Sequence, residues 1–317
     1  MKKPILTIIV PCYNEEEIFF SSERQLRELL DKMKSGGLIS EESRVVYVDD
    51  GSHDRTWQYI QEACAAHPDT DAGVKLARNA GHQNALLAGL EAVKDYCDMA
   101  ISIDADLQDD INVIPEMVER YLEGDEIVYG VRKSRDADTW FKRTSAQSFY
   151  KLMKSLGVDT VYNHADFRLM SSRAIRELLK YKENNIFLRG IVPKIGLQNS
   201  RVFYDRKERE AGETKYPLKK MINFAMEGVT SFSIKPVRMV LAMGIIFVCI
   251  SFVIFIYALI RYFLNDVIIG WTSLIISIWL CTGILLISLG IIGEYVGKIF
   301  LEVKERPRFV IEKIHGL

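Results

Sequence analysis

Met99-Ala-Ile-Ser-Ile-Asp104-Ala-Asp106-Leu-Gln108 decides the fold. A short, mostly apolar run bounded by turn residues is what a parallel strand buried on both faces looks like, and here it ends in two carboxylates spaced two apart. Working outward, similar runs occupy 6–10, 45–48, 74–77 and 127–129, and between them helical patterns fill 16–33, 56–66, 83–96 and 114–122. Strands alternating with helices require right-handed crossovers, so the first part of the chain is expected to be α/β with a doubly wound, mostly parallel sheet. Such sheets bind ligands beyond the carboxyl ends of their strands, and the polar clusters lie there: 11–15, 49–54, 78–83 and 104–109. After Gly130 the pattern loosens into helices around 145–155 and 171–181 and a basic loop over 201–215.

At the other end of the chain, 239–260 and 267–293 are uncharged and apolar. A bilayer core about 30 Å thick needs roughly 20 apolar residues as a helix, so both stretches are expected to span, as a two-helix transmembrane hairpin. The net charge of -1 conceals an asymmetry: residues 1–200 hold 26 Lys+Arg against 32 Asp+Glu, and residues 201–238 hold 9 against 5. Basic residues near span ends mark the cytoplasmic side. Lys235 and Arg238 precede the first span and Lys298, Lys304, Arg306 and Arg308 follow the second, whereas the 261–266 turn has one cation. The expectation is a multi-pass inner-membrane protein with its N-terminal domain and both termini cytoplasmic. Its parts would be a domain over 1–215, an amphipathic juxtamembrane helix over 216–236, two spans within 237–293 and a tail over 294–317. Gly283, Gly290 and Gly293 could allow close helix contact within the hairpin or between protomers of a homo-oligomer. The five cysteines form no CxxC pair, which argues against a disulfide framework or zinc site.

Asp104, Asp106 and Gln108 offer an alternating row of oxygen ligands suited to Mg²⁺ or Mn²⁺, leaving coordination places for a diphosphate. Asp49 and Asp50, in Asp-Asp-Gly-Ser, could accept hydrogen bonds from a uracil imide or ribose hydroxyls, although Asp-Gly is also a common turn pair. Pro11, Tyr13 and Glu15 close the first strand, with Tyr13 placed to cover a base and Glu15 to hold a ribose. Arg78 and Gln83 bracket a loop before a helix that begins with small residues, a setting that suits phosphate. No G-x-G-x-x-G follows the first strand, which argues against a dinucleotide-dependent oxidoreductase, and two spans cannot enclose the channel a processive polysaccharide synthase needs.

Pro11-Cys-Tyr-Asn-Glu15, Asp49-Asp-Gly-Ser52, Arg78-Asn-Ala-Gly-His-Gln83, Asp104-Ala-Asp-Leu-Gln108, Asp166-Phe-Arg-Leu169 and the stretch from Arg206 to Tyr216, in this order and followed by two apolar stretches, resemble the family-2 glycosyltransferases that load sugars onto polyprenyl phosphate. The bactoprenol glucosyltransferases and dolichol-phosphate mannosyltransferases are the groups it is most similar to. The resemblance implies a GT-A fold, a nucleotide-diphosphate sugar donor (a UDP-sugar by default), a polyprenyl (undecaprenyl) phosphate acceptor, a divalent metal and inversion at the anomeric carbon, with no nucleic-acid partner. It implies Asp166, Asp106 and Arg168 as catalytic residues and Asp104, Asp106 and Gln108 as the metal and diphosphate site. It places Pro11, Tyr13, Glu15, Asp49, Asp50, Arg78 and Gln83 on the nucleotide sugar, and Arg132, Arg206, Arg209 and Lys215 on the lipid phosphate and diphosphate. Asp110-Ile111 stands where the family often has a proline pair, and His164-Ala165 precedes Asp166 where glycine is common. A non-catalytic, membrane-anchored scaffold that binds nucleotide sugars is the alternative.

Overall fold

The computed structural model describes residues 3–132, 164–183, 188–205 and 270–317, with isolated positions 240, 242, 246, 253 and 256. The amphipathic segment 216–236, the helix around 145–155 and the cations Arg206, Arg209 and Lys215 lie outside the described residues, as does most of the 239–260 stretch.

The first five strands form where the apolar runs place them: β1 (Leu6–Cys12), β2 (Arg44–Asp49), β3 (Asp71–Leu76), β4 (Met99–Ser102) and β5 (Ile127–Arg132). All seven residues of β1 are buried, as expected of a central strand covered on both faces. Between them run α1 (Phe19–Ser35), α2 (Thr56–Ala66), α3 (His82–Val93) and α4 (Ile114–Leu122). Three further strands were not anticipated. β6 (His164–Ser171) inserts antiparallel between β4 and β5, and β7 (Asn199–Tyr204) pairs parallel with β5 where a basic loop was expected to begin. β8 (Ile311–His315) lies antiparallel on β3, so the stretch expected as a tail contributes an edge strand. The sheet order is β7-β5-β6-β4-β1-β2-β3-β8. It is the mostly parallel α/β sheet that the resemblance implies, with β6 and β8 opposed to the rest, and the strand order reverses between β1 and β4.

Packing explains one glycine. A Cβ on Gly89 of α3 would meet Ile9 Cγ2 at 2.6 Å and Val48 Cγ2 at 2.8 Å, so the helix backbone lies directly on β1 and β2 and fixes the height of its N-terminus over their ends. Beyond β6, Ser171 caps α5 (Ser172–Leu179) through the Ala174 N–H at 3.0 Å, and a one-turn helix α6 (Leu188–Ile191) follows.

The chain divides into two compact units, 1–147 with 160–215 and 305–317, and 148–159 with 216–304. In the second, α7 (Trp271–Val303) is 33 residues long and, over Cys281–Val303, apolar enough to cross a membrane, with a mean hydropathy of 1.9. Among the described residues it is the one helix of that kind, so the second expected span has a helix and the two-helix hairpin is not established. Leu285 and Leu289 on α7 are 68% and 65% exposed. In the first unit the chain after α7 is held by backbone pairing and by side chains: Arg44 Nη1 donates to Gly316 O at 2.6 Å, Arg308 Nη2 to Tyr181 O at 2.7 Å, and Lys75 pairs with Glu312 at 3.1 Å. β8 thereby covers a β3 edge that would otherwise present unpaired backbone groups.

Candidate functional site

The carboxyl ends of β1, β2 and β4, together with the start of antiparallel β6, gather the residues singled out in the sequence along one edge of the sheet.

The half around β1 and β2 is laced by hydrogen bonds from backbone N–H groups. Asn14 adopts a left-handed conformation (φ 55°), its N–H donates to Ser52 Oγ at 3.0 Å, and its Oδ1 accepts from His53 N at 2.9 Å. Glu15 N donates to Thr56 Oγ1 at 2.9 Å. Pro11 is buried near the end of β1, Glu15 is half-buried, and Tyr13 is 42% exposed with its ring edge-on to His53 at 6.5 Å. Asp50 is committed to scaffolding: Oδ1 accepts from Ala80 N at 2.6 Å and Oδ2 from Gly81 N at 2.9 Å, which ties down the loop that carries Arg78. Gly51 (φ 68°) makes this approach possible, because a Cβ there would sit 2.6 Å from Asn79 N. Arg78 itself is exposed.

Asp49 differs from its neighbour. It is fully buried, its Oδ1 accepts from Ser52 N at 3.2 Å, and its Oδ2 has no hydrogen-bond partner. Burial pushes this carboxyl up from its ordinary range, with the Ser52 hydrogen bonds opposing. A buried acceptor without a donor is costly, of order 1–3 kcal/mol, which makes this oxygen a place where a ligand N–H would be stabilised.

Around β4 the site is charged. Asp104 lies 3.4 Å from His82 Nε2, and Leu107 takes a positive φ (43°) as its N–H returns to Asp104 O at 3.2 Å, forming the turn that carries Asp106. Asp106 Oδ1 accepts from Gln108 N at 3.3 Å, and Gln108 is buried. Removal from water pushes the Asp104 carboxyl up. His82 opposes this, and Asp166, Asp109 and Asp106 add to it. The Asp104 side chain is 47% exposed, so solvent moderates the effect and its direction is what matters. The loop beyond takes its shape from Asp110, which accepts from Asn112 N at 3.2 Å and Nδ2 at 2.8 Å and caps a 3₁₀ turn (Ile111–Val113), a side-chain cap in place of a proline pair.

The donor set fits a hard cation that brings ligands of its own. Asp104 and Asp106 are half-buried and close enough for Asp106 to raise the Asp104 carboxyl, with buried Gln108 next on the same turn, while among the described residues no three His, Cys, Asp or Glu side chains converge into a cage.

Beside them, Asp166 is held by two guanidinium groups. Its Oδ1 accepts from Arg168 Nη2 at 2.6 Å, and Arg189 reaches Oδ1 through Nε at 3.4 Å and Oδ2 through Nη2 at 3.1 Å. Burial would raise this carboxyl, yet Arg189 and Arg168 outweigh it and hold it well below the usual carboxylate range. Arg168 is itself buried, 1% exposed. Ser102 Oγ donates to Asp166 O, fixing the start of β6 against the end of β4. Gln83 accepts the Leu188 N–H at 3.0 Å through Oε1, so it anchors α6. Arg132, at the end of β5, donates to Asp109 Oδ1 through Nε at 3.2 Å and Nη2 at 2.9 Å, and to Tyr204 OH at 3.4 Å. Arg189 and Asp109 had not been singled out. Arg189 lies 23 residues from Asp166 with no spacing that links them, and only the packing of α6 against β6 brings them together.

Comparison with known proteins gives this geometry a family. Residues 7–179 match glycosyl transferase family 2. The chain belongs to glycosyl transferase family 2. This glycosyltransferase is 54% identical over 310 residues to the uncharacterized glycosyltransferase YkoT of Bacillus subtilis (strain 168), covering 98% of this chain and 92% of that protein. It is 36% identical over 315 residues to the SfII prophage-derived bactoprenol glucosyl transferase of Shigella flexneri, covering 98% of each. It is also 34% identical over 314 residues to the prophage bactoprenol glucosyl transferase homolog of Escherichia coli (strain K12), covering 98% of this chain and 99% of that protein. Among solved structures, the family-2 chain is similar to glucosyl-3-phosphoglycerate synthase of Mycobacterium tuberculosis in complex with Mn²⁺, UDP and glucosyl-3-phosphoglycerate, at 17% identity and a TM-score of 0.45 over 72% of this chain and 78% of that one.

Proposed function

We propose that this family-2 glycosyltransferase moves a sugar, glucose by default, from a nucleotide-diphosphate sugar to polyprenyl phosphate at the cytoplasmic face of a membrane, with inversion at the anomeric carbon. The observation that carries the reading is the contrast at the end of β4: Asp166 is held by two arginines, whereas Asp104 and Asp106 are half-buried acidic side chains on the turn beyond the strand, with His82 3.4 Å from Asp104. Asp104, Asp106 and Gln108 would hold Mg²⁺ or Mn²⁺, which supplies positive charge to the departing diphosphate. Support for the acceptor comes from relatives at 34–36% identity over nearly the whole chain that are named bactoprenol glucosyl transferases. Support for a membrane comes from α7, whose exposed leucines and isoleucines suit lipid. Residues 216–236 would lie at the interface, and the 239–260 stretch would supply the other span.

The donor's base falls to the β1–β2 half, where Asp49 Oδ2 would accept an imide N–H, with Pro11, Tyr13 and Glu15 alongside and Arg78 near the phosphates. The acceptor phosphate would meet Arg132, Arg206, Arg209 and Lys215. In the transfer, a lone pair on a lipid phosphate oxygen forms the bond to the anomeric carbon as the bond from that carbon to the diphosphate oxygen breaks, and its electron pair leaves on the nucleotide diphosphate. No proton has to be removed, because a phosphate monoester with a second pKa near 6 is about nine-tenths dianion at pH 7. Asp166, held ionised by two guanidiniums, is poorly suited to accept one. Its part is to orient cations.

The test is direct. Detergent-purified protein is incubated with undecaprenyl phosphate, Mn²⁺ and a panel of UDP- and GDP-sugars, and lipid products are read by mass spectrometry. One donor is expected to yield glycosyl undecaprenyl phosphate. Absence of lipid-linked sugar with every donor would reject the reading.

A further inference from the structure

Ser22 lies on the buried face of α1, one turn from Phe19 and one from Leu26, and is itself 6% exposed. A serine inside a helix ordinarily turns its hydroxyl to solvent or back to the carbonyl four residues earlier. Here it does neither. Ser22 Oγ donates to Ala105 O at 2.6 Å, 83 residues further along the chain. Ala105 is the residue between Asp104 and Asp106.

That bond fixes more than a carbonyl. A peptide unit is planar, so anchoring Ala105 O also sets the direction of the Asp106 N–H and Cα. The turn needs such an anchor. Leu107 holds a left-handed φ of 43°, a conformation that a bulky side chain keeps only when its surroundings over-determine it. Within the turn the Leu107 N–H donates to Asp104 O at 3.2 Å, and Ala105 and Leu107 are both buried in the core. Ser22 supplies a tie from outside the turn, and α1 is a firm place to hold it from. Phe19 packs edge-on to Tyr47 of β2 at 5.0 Å, and Leu26 and Leu30 are fully buried.

Resting on the reading that Asp104, Asp106 and Gln108 take a divalent cation with the donor diphosphate, we propose that Ser22 is a positioning residue for that site. Its hydroxyl sets the Ala105–Asp106 peptide and with it the placing of the two carboxylates. A ligating group that must first be ordered binds its cation more weakly, and hydrogen bonds that orient such groups typically carry about 10- to 100-fold in metal affinity.

Full-length wild type, Ser22→Ala and Ser22→Thr are purified in detergent and shown by thermal melting to be folded. Each is titrated calorimetrically with UDP, once with Mn²⁺ and once with excess EDTA, and hydrogen exchange of the 103–109 segment is followed in metal-free protein. Ser22→Ala is expected to weaken UDP by about tenfold with Mn²⁺, to leave its affinity in EDTA unchanged and to quicken exchange at 103–109. Ser22→Thr, which keeps the hydroxyl, is expected to stay within about twofold of wild type throughout. If Ser22→Ala does not fold, Ser22→Cys, close in size with a weak donor, takes its place with the same expected direction. An affinity with Mn²⁺ within about twofold of wild type in the variant without the hydroxyl overturns the assignment, even with faster exchange, because the bond would then be structural only. An equal loss in Ser22→Thr overturns it too, by tracing the effect to packing. Should wild type transfer no sugar to any prenyl phosphate, the reading of function falls while these titrations still decide Ser22. A wild type that binds UDP equally well with Mn²⁺ and in EDTA removes the cation site and the role of Ser22 together.

Discussion

Asp49 is buried and Asp166 largely so, both at the same edge of one sheet, and their surroundings push them in opposite directions. Asp49 has a single Ser52 turn for company and an oxygen with no partner, so burial raises it. Asp166 is matched by Arg168 and Arg189 and is held low despite burial. The difference separates two kinds of site. The β1–β2 half is a scaffold of backbone N–H groups around one buried carboxylate oxygen without a donor, which the proposed function assigns to a neutral hydrogen-bonding edge. The β4–β6 half is a balance of full charges, suited to anions and cations in motion. At Asp71 burial, with the Glu23 charge adding to it, outweighs Arg27 and pushes the carboxyl up to about 7.

The largest effect expected is in the charged half. Asp104→Asn removes charge where the cation and diphosphate would meet, and transfer should fall by at least about a thousandfold, roughly 4 kcal/mol of transition-state stabilisation. Near-normal turnover by the variant would detach the acidic pair from the chemistry.

Asp166→Asn leaves Arg168 buried without its counter-charge. Urea unfolding should record a loss of about 3 kcal/mol, because breaking a buried pair strands the other ion. A variant as stable as wild type would mean that the two arginines find other partners and that the charged half is less tightly matched than its distances imply.

Asp71 sharpens the contrast through pH. An unfolded carboxylate releases its proton near pH 3.9, whereas the folded group holds it to about 7. Between these values the native state binds the extra proton, so stability falls as pH rises from about 4 to about 7 and is level above. Between pH 5 and pH 8, Asp71→Asn should remove about 2.6 kcal/mol of that stability difference. A slope identical to wild type would place the titration elsewhere.

The smallest effect belongs to the open acceptor. Asp49→Asn puts an N–H₂ where an imide N–H would dock, and the KM for the donor should rise about tenfold with kcat little changed. An unaltered KM would take the unpartnered oxygen out of nucleotide recognition.

The sequence made the first five strands legible because each is a short apolar run ending in turn residues, and it made the acidic ends of β2 and β4 legible for the same reason. β6 was hidden by Arg168, a charged residue in the middle of a buried strand that an ion pair with Asp166, two residues earlier on the same strand, makes tolerable. β7 and β8 were hidden because edge strands alternate or lie exposed, and β8 pairs with a strand more than 230 residues earlier in the chain. The split of the Asp49-Asp50 pair into an open acceptor and a loop fastener was not legible either, because it depends on where the Ala80 and Gly81 N–H groups point. Arg189 had no local signal at all.

In the proposed reaction the Asp104–Asp106 edge takes a divalent cation together with a nucleotide's diphosphate. Calorimetric titration of UDP into the detergent-purified wild-type protein, with Mn²⁺ and then with excess EDTA, tests it most directly. Tight binding with Mn²⁺ that weakens by at least tenfold in EDTA is the predicted result. Equal affinity under the two conditions would contradict it.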